Sequence, residues 1–256
     1  MELKRSLGQH FLHDQNMLQK IADVIGDLSP FASVLEIGPG HGALTKYLLL
    51  KKHYDFKAVE VDRRCVEFLR QNMPELKVIN VDFLKADLTQ LLKSPACIVG
   101  NFPYNISSQI VFKIIENRAI VSRMIGMFQK EVAVRIAASH GSKDYGVISV
   151  LTQAYFDCTY LLDVPPGCFT PPPKVMSGII KLERKNTALG CDEKLFRTIV
   201  KQSFTQRRKI LSNSLKGIDS SAQWNGFESK RPEQLSVADF VSLTNLIADA
   251  QSINNR

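Results

Sequence analysis

Short runs of β-branched and other apolar residues alternate with longer amphipathic stretches over roughly the first 184 positions. Val34–Ile37, Phe56–Val61, Val78–Val81, Cys97–Gly100 and Met124–Phe128 predict strands. Ala43–Leu50, Arg63–Asn72 and Ser107–Asn117 between them have helical spacing, with Ser107 placed to cap the last. Strands separated by helices predict βαβ units and a mostly parallel sheet. After Pro165-Pro166 and Pro171-Pro172-Pro173, the run Gly178–Leu182 predicts a final strand, suited to close such a sheet in the antiparallel sense. From Lys185 the strand signal fades and helical periodicity takes over. The expected organisation is an α/β domain over residues 1–185 and a small all-helical domain over 186–256.

Within the second part, Leu195–Lys216 predicts one helix with an apolar stripe of Phe196, Val200, Phe204, Leu211 and Leu215. Arg197, Lys201, Arg208, Lys209 and Lys216 fall on a flank beside it. That flank reads as a solvated face or as a phosphate-backbone footprint. Arg207 falls inside the stripe and needs an acidic partner or a domain junction, while Trp224 reads as core. The chain carries 33 basic and 25 acidic residues, a net charge of +8. Each part holds half of that excess, so charge density is higher in the small one. A polyanionic partner is indicated, though weakly, because many basic proteins bind none.

Composition excludes several classes. No apolar run is long enough to span a bilayer, and the start Met1-Glu2-Leu3-Lys4-Arg5 leads into no signal sequence. The 5 cysteines are scattered without a CxxC pair, which argues for a reducing, cytoplasmic setting without disulfides or bound zinc. The histidines have no metal-ligand spacing, so no metal is expected. With no heptad repeat, the expected state is a monomer.

The strand Val34–Ile37 runs into Gly38-Pro39-Gly40-His41-Gly42-Ala43. Glycines let a backbone turn sharply and approach a ligand, and the helix that follows points its N-terminus at it. A tight turn with no ligand fits these residues equally well, and Gly38-x-Gly40-x-x-Ala43 also fits a dinucleotide fingerprint. Glu60 ends the next strand, where a carboxylate can accept from ribose hydroxyls. Asp82 follows the third, where it can accept from an adenine amine or simply cap a helix. The series Gly-loop, Glu60, Asp82 favours S-adenosylmethionine over a pyrophosphate cofactor, since a sulfonium needs no phosphate cradle.

The fourth strand ends in Asn101-Phe102-Pro103-Tyr104-Asn105. A purine exocyclic amine is a poor nucleophile because its lone pair is delocalised into the ring. Acceptors on both of its N–H bonds, the Asn101 side-chain oxygen and the Phe102 carbonyl, draw the nitrogen towards tetrahedral geometry and free that pair. Pro103 stiffens the turn, and Tyr104 offers a face for an extruded base. The alternative is an Asn-Pro turn with a packed tyrosine.

Asn101–Tyr104 resembles the NLPY motif of the ribosomal RNA adenine N6,N6-dimethyltransferase family. Gly8-Gln9-His10-Phe11-Leu12, Glu36-Ile37-Gly38-Pro39-Gly40, Gln129–Ala133 and Phe169–Val175 resemble its other signatures in order. Gln206–Lys209 and Arg231–Ser236 resemble the C-terminal part of its small-subunit (KsgA) branch. The resemblance implies a Rossmann-like methyltransferase domain with a seven-stranded, mostly parallel sheet, followed by a helical RNA-binding domain. It implies cofactor contacts from His10, Leu12, Gly38, Glu60, Asp82 and Asn101, with Tyr104 and Phe169 sandwiching the flipped adenine. The implied reaction is dimethylation of two adjacent adenosines near the 3′ end of 16S rRNA in the 30S subunit or its precursor. Two positions depart from the family: His10 stands where Asn is usual in bacterial members, and Phe102 where Leu is usual. The rivals are an enzyme of the same chemistry acting on large-subunit RNA, a relative that binds RNA without catalysis, and a nicotinamide enzyme.

Overall fold

A computed structural model describes residues 10–53, 55–218 and 224–254. Gly8 and Gln9 of the first sequence motif lie outside the described residues. In chain order the elements begin with β1 (Phe11–Leu12), α1 (Gln15–Ile25), β2 (Ser33–Ile37), α2 (Thr45–Leu49), β3 (Phe56–Glu60), α3 (Arg63–Asn72) and β4 (Lys77–Asn80). They continue through α4 (Leu88–Leu91), β5 (Ala96–Asn101), α5 (Ser107–Glu116), β6 (Val121–Gln129), α6 (Lys130–Ala137) and α7 (Val147–Gln153). The remainder are β7 (Phe156–Val164), β8 (Phe169–Thr170), β9 (Ser177–Arg184), α8 (Glu193–Thr205), α9 (Leu211–Ser214) and α10 (Val237–Asn254).

Seven strands form one sheet in the order β4-β3-β2-β5-β6-β9-β7, and β1 pairs with β8 in a separate two-stranded ribbon. The pairs β3–β4, β2–β3, β2–β5 and β5–β6 are parallel, and β9 runs antiparallel to β6. Every position of β2 and β3 is buried, as expected of strands covered on both faces. The sequence pattern anticipated β9 as the closing strand, but β7 lies beyond it. Helix starts follow side-chain chemistry: Asp14 accepts from Met17 N at 2.7 Å, and Asp62 from Arg64 N at 3.2 Å. Ser107 does not cap α5; its hydroxyl donates back to Tyr104 O at 3.0 Å, and Ile106 holds the cap position.

The chain divides into two compact units, Met1–Val134 with Asp157–Arg184, and Arg135–Phe156 with Lys185–Arg256. The second unit therefore has two pieces where the sequence pattern suggested one. Residues of the earlier piece are held by side chains far along the chain: Tyr145 packs edge-on against Phe204 at 6.3 Å, and Arg207 donates to Ser142 O at 3.3 Å. The single helix expected over Leu195–Lys216 is also interrupted. It stops at Thr205, a turn closed by Lys209 N to Gln206 O at 2.7 Å follows, and α9 is a fresh start. Arg207 does meet an acid, Glu233, at 4.0 Å, and Trp224 is buried. Among the described residues no helix is long and apolar enough to cross a membrane.

The turn after β5 hangs on one ring. Phe102 is 1% exposed, and its backbone N–H donates to Met127 O on β6 at 3.2 Å. The ring lies where a Cβ on Gly126 would come within 2.2 Å of it, so only glycine fits beneath it. A Gly126→Ala substitution should lower stability by about 1–3 kcal/mol through overpacking. Adding Phe102→Leu should recover most of that loss. Urea midpoints of the two variants check this, and equal destabilisation in both would show that the ring is not the obstacle.

Candidate active site

The chain winds outward from β2 through β3 to β4, then returns to place β5 on the other side of β2. At such a reversal the connections leave in opposite directions and open a crevice at the strands' carboxyl ends. A cavity of about 420 Å³ occupies that position. Of the residues singled out in the sequence, His10, Leu12, Gly38, Glu60, Asp82, Asn101 and Tyr104 line it.

Gly40 belongs to the loop after β2 and has φ +57°, in the left-handed region. A Cβ there would meet the Phe11 ring at 2.8 Å. Phe11 lies flat on His41 of the same loop, with centroids 4.5 Å apart and planes at 11°, so β1 lies directly against the glycine loop. Burial holds the His41 imidazole below its ordinary basicity, which suits a ring stacked among aromatics.

Glu60 is 6% exposed and already has three donors. Its Oε1 accepts from Val61 N at 2.8 Å and Asp62 N at 2.9 Å, and its Oε2 from Gly40 N at 3.1 Å. Burial raises its pKa, and these bonds oppose the rise. A carboxylate has about four acceptor directions, so one remains for a ligand hydroxyl. Asp82 uses Oδ1 to accept from Leu84 N at 2.9 Å, which shapes the turn after β4. The same turn is held from α5 by Lys113, whose ammonium donates to Leu84 O at 2.8 Å and Ala86 O at 2.6 Å. Nothing in the local sequence pattern pointed to Lys113, because its partners lie about 30 positions away.

Asn101 Nδ2 donates to His10 O at 3.1 Å. With the amide nitrogen engaged, Oδ1 is the group left to accept. The contact that His10 makes here is thus a backbone one. Its ring lies over Tyr104, with centroids 5.5 Å apart and planes at 28°, and its Nδ1 is 2.8 Å from Pro171 O. Tyr104 is held at its other end by Ser177, the buried first residue of β9, with 2.5 Å between the two hydroxyl oxygens. Burial raises the phenol's pKa, so it remains protonated at neutral pH.

Phe169 differs from expectation. It was to stand opposite Tyr104, yet it is 2% exposed in the hydrophobic core and does not line the cavity. Its partner across the β1–β8 ribbon is Leu12, a core residue that also lines the cavity. Glu36, on β2, is a lining residue that sequence reasoning treated only as part of a motif. It is 1% exposed, and among the described residues its Oε2 has no hydrogen-bond partner. Among the described residues no group of three or more acids, histidines or cysteines is placed to hold a metal.

The family model of ribosomal RNA adenine dimethylases matches residues 1–249. The chain is 49% identical over 254 residues to ribosomal RNA small subunit methyltransferase A of Cytophaga hutchinsonii, covering 97% of this chain and 98% of the relative. The protein of the same name from Parabacteroides distasonis is 51% identical over 247 residues, covering 94% and 92%. Among solved structures, a dimethyladenosine transferase from Plasmodium falciparum superposes with a TM-score of 0.81 at 25% identity, covering 94% of this chain and 98% of that one. The 23S rRNA methyltransferase ErmE superposes with a TM-score of 0.69 at 26% identity, covering 92% and 99%.

The Tyr104–Ser177 bond is open to a direct check. Ser177→Ala and Tyr104→Phe should each cost about 0.5–1.5 kcal/mol. The double variant should cost about 0.5 kcal/mol or more below their sum, because both remove the same bond. Strictly additive losses in chemical denaturation would show that the two hydroxyls do not cooperate.

Proposed function

The chain belongs to the ribosomal RNA adenine dimethylase family, and on that footing we propose that it dimethylates adenine N6 in small-subunit ribosomal RNA with S-adenosylmethionine as methyl donor. The target is two adjacent adenosines near the 3′ end of 16S rRNA, in a cytoplasmic 30S subunit or its precursor. The single observation that carries the mechanism is Asn101, whose side-chain nitrogen is tied to His10 O while its oxygen remains to accept.

The cavity residues suit the cofactor. Glu60 accepts a ribose hydroxyl on its remaining lone pair, and Asp82 accepts from the adenine amine. Gly38, with φ +64°, leaves the backbone bare beneath the methionine end, and Leu12 supplies an apolar wall. The cofactor supplies a methyl group on a sulfonium, whose sulfur leaves neutral, so the protein needs no group to stabilise a leaving anion. Asn101 Oδ1 and the Phe102 carbonyl accept the two N–H bonds of the target amine and favour its pyramidal form. No general base is required, because the nitrogen becomes acidic once the methyl has moved. Tyr104, anchored by Ser177, supports the base; the face that His10 covers opens only when the imidazole moves aside.

Support for a small-subunit target comes from relatives near 50% identity that carry that name. ErmE, whose substrate is 23S rRNA, shares the fold at 26% identity. In the helical unit, Arg197 and Lys201 line one shallow surface depression on α8, and Arg208, Lys209 and Lys216 are exposed beyond the helix end. These residues form the proposed phosphate-backbone footprint.

Incubation with labelled S-adenosylmethionine and unmethylated 30S subunits should yield N6,N6-dimethyladenosine, identified by mass after digestion. Asn101→Ala should lower single-turnover methylation about 100- to 1000-fold, the effect of losing one transition-state hydrogen bond. Its RNA affinity should change far less. Parental rates in a folded Asn101→Ala protein would overturn the mechanism.

The footprint is tested separately. Arg197→Gln with Lys201→Gln should weaken subunit binding and reduce the log–log salt slope by roughly 0.7–0.9 for each phosphate no longer neutralised. Binding of free S-adenosylmethionine should be unaltered. An unaltered salt slope would return these residues to a merely solvated face.

A further inference from the structure

A flat base is held most firmly between two faces, and Tyr104 offers one of them, anchored at its far end by Ser177. Phe169, whose motif implies the other face, lies in the hydrophobic core. Of the other rings along the cavity wall, Phe11 and His41 lie flat on each other and Phe102 is buried. Among the described residues the ring that faces Tyr104 is His10.

His10 is held at two points. Its backbone carbonyl accepts from Asn101 Nδ2 at 3.1 Å, which ties it to the residue that takes the target amine. Its ring Nδ1 is 2.8 Å from Pro171 O. A carbonyl oxygen accepts and cannot donate, so Nδ1 carries a hydrogen and donates it. Pro171 comes just after Phe169 and Thr170, so the segment expected to supply a wall supplies a carbonyl that steadies one. The backbone at His10 is thus fixed beside the reacting residue, while the imidazole, held by one hydrogen bond at its edge, can pivot.

Atoms of stacked rings stand about 3.5 Å apart, so two rings with a base between them stand roughly 7 Å apart. The His10 and Tyr104 centroids are 5.5 Å apart with planes at 28°, so the gap as it stands is too narrow for a base. We propose that His10 is the second stacking wall for the target adenine: its imidazole swings off Tyr104 as the base enters and closes on the base's outer face. This rests on the reading of the protein as an adenine N6-methyltransferase. Entry of the base breaks one ring contact, loose and tilted, and makes two. The net gain is one stack, and it falls on the step that seats the base after the RNA has bound.

Three substitutions separate the ring from its hydrogen bond. His10→Ala removes both, His10→Phe keeps a ring without the donor, and His10→Asn keeps a donor without the ring. The measurement is single-turnover methylation of unmethylated 30S subunits, with subunits and S-adenosylmethionine both saturating. His10→Ala and His10→Asn should be slower than the unaltered protein by about 5-fold or more, the low end of what one base–aromatic stack contributes. His10→Phe should recover most of that loss. Calorimetry should find similar S-adenosylmethionine affinities in all of them, because the link to Asn101 is made by the backbone. Equal rates in His10→Phe and His10→Ala would overturn the stacking role. So would a His10→Asn protein as fast as the unaltered one, which would leave the side chain only its tether to Pro171. A loss of cofactor affinity in His10→Ala as large as its loss of rate would also sink the proposal, by making His10 a cofactor contact. If the unaltered protein transfers no methyl group to adenosine, the functional reading itself fails; if it does and the rate ignores His10, only this assignment does.

Discussion

Reversal of the winding direction between β2 and β5 is the constraint on which the rest of the site depends. Because neighbouring connections leave in opposite directions, the carboxyl ends of two central, fully covered strands meet at a crevice. The nearby strands and the turns after them then offer residues to the same space: Glu36 from β2 and Gly38 just after it, Glu60 from β3, Asp82 after β4 and Asn101 from β5. These positions lie far apart in the chain, and no local feature would gather them. The antiparallel return of β9 beside β6 completes the arrangement by bringing Ser177 to the Tyr104 hydroxyl.

The three cavity acids differ by how many donors the backbone supplies. Glu60 sits where the chain turns from β3 into α3, and two consecutive N–H groups of that turn point at it. Asp82 sits on a similar turn with one donor. Glu36 lies inside a strand, where neighbouring N–H groups belong to the ladder and none can turn to a side chain. The same residue type therefore meets different numbers of donors within one cavity, although burial raises the pKa of both glutamates. Strand interior versus strand end, a purely backbone distinction, sets how many donors each acid finds.

Much of the site was legible from sequence because strand ends are. An apolar run followed by Gly38-Pro39-Gly40, or by Glu60, Asp82 or Asn101, marks both the strand and the place where it stops. What escaped notice depended on distant partners. Lys113 looks like any surface lysine until its two carbonyl acceptors come into view. Residues 135–156 sit between strands of the first unit in the sequence, and distant contacts such as Tyr145–Phe204 and Arg207–Ser142 show that they fold with the second. Phe169 belongs to a motif that implies a base pocket, whereas it lies among the core residues and does not line the cavity. The departure of Phe102 from the family's leucine has a companion that was also hidden: the space the ring needs is left by Gly126, on another strand.

The pairing of β1 with β8 gives the cavity an order of completion during synthesis. His10 and Pro171, which face each other across the ribbon, are 161 positions apart. As the chain leaves the ribosome from its N-terminus, the sheet from β2 to β6 can form while β1 still has no strand to bind. The loop that must close to dock it spans most of the first unit, which makes this a late, slow contact. Since β1 carries Phe11 onto the glycine loop, and His10 just before it meets the Asn101 amide through its carbonyl, the strands can be in place in the nascent chain before the ribbon that completes the cavity.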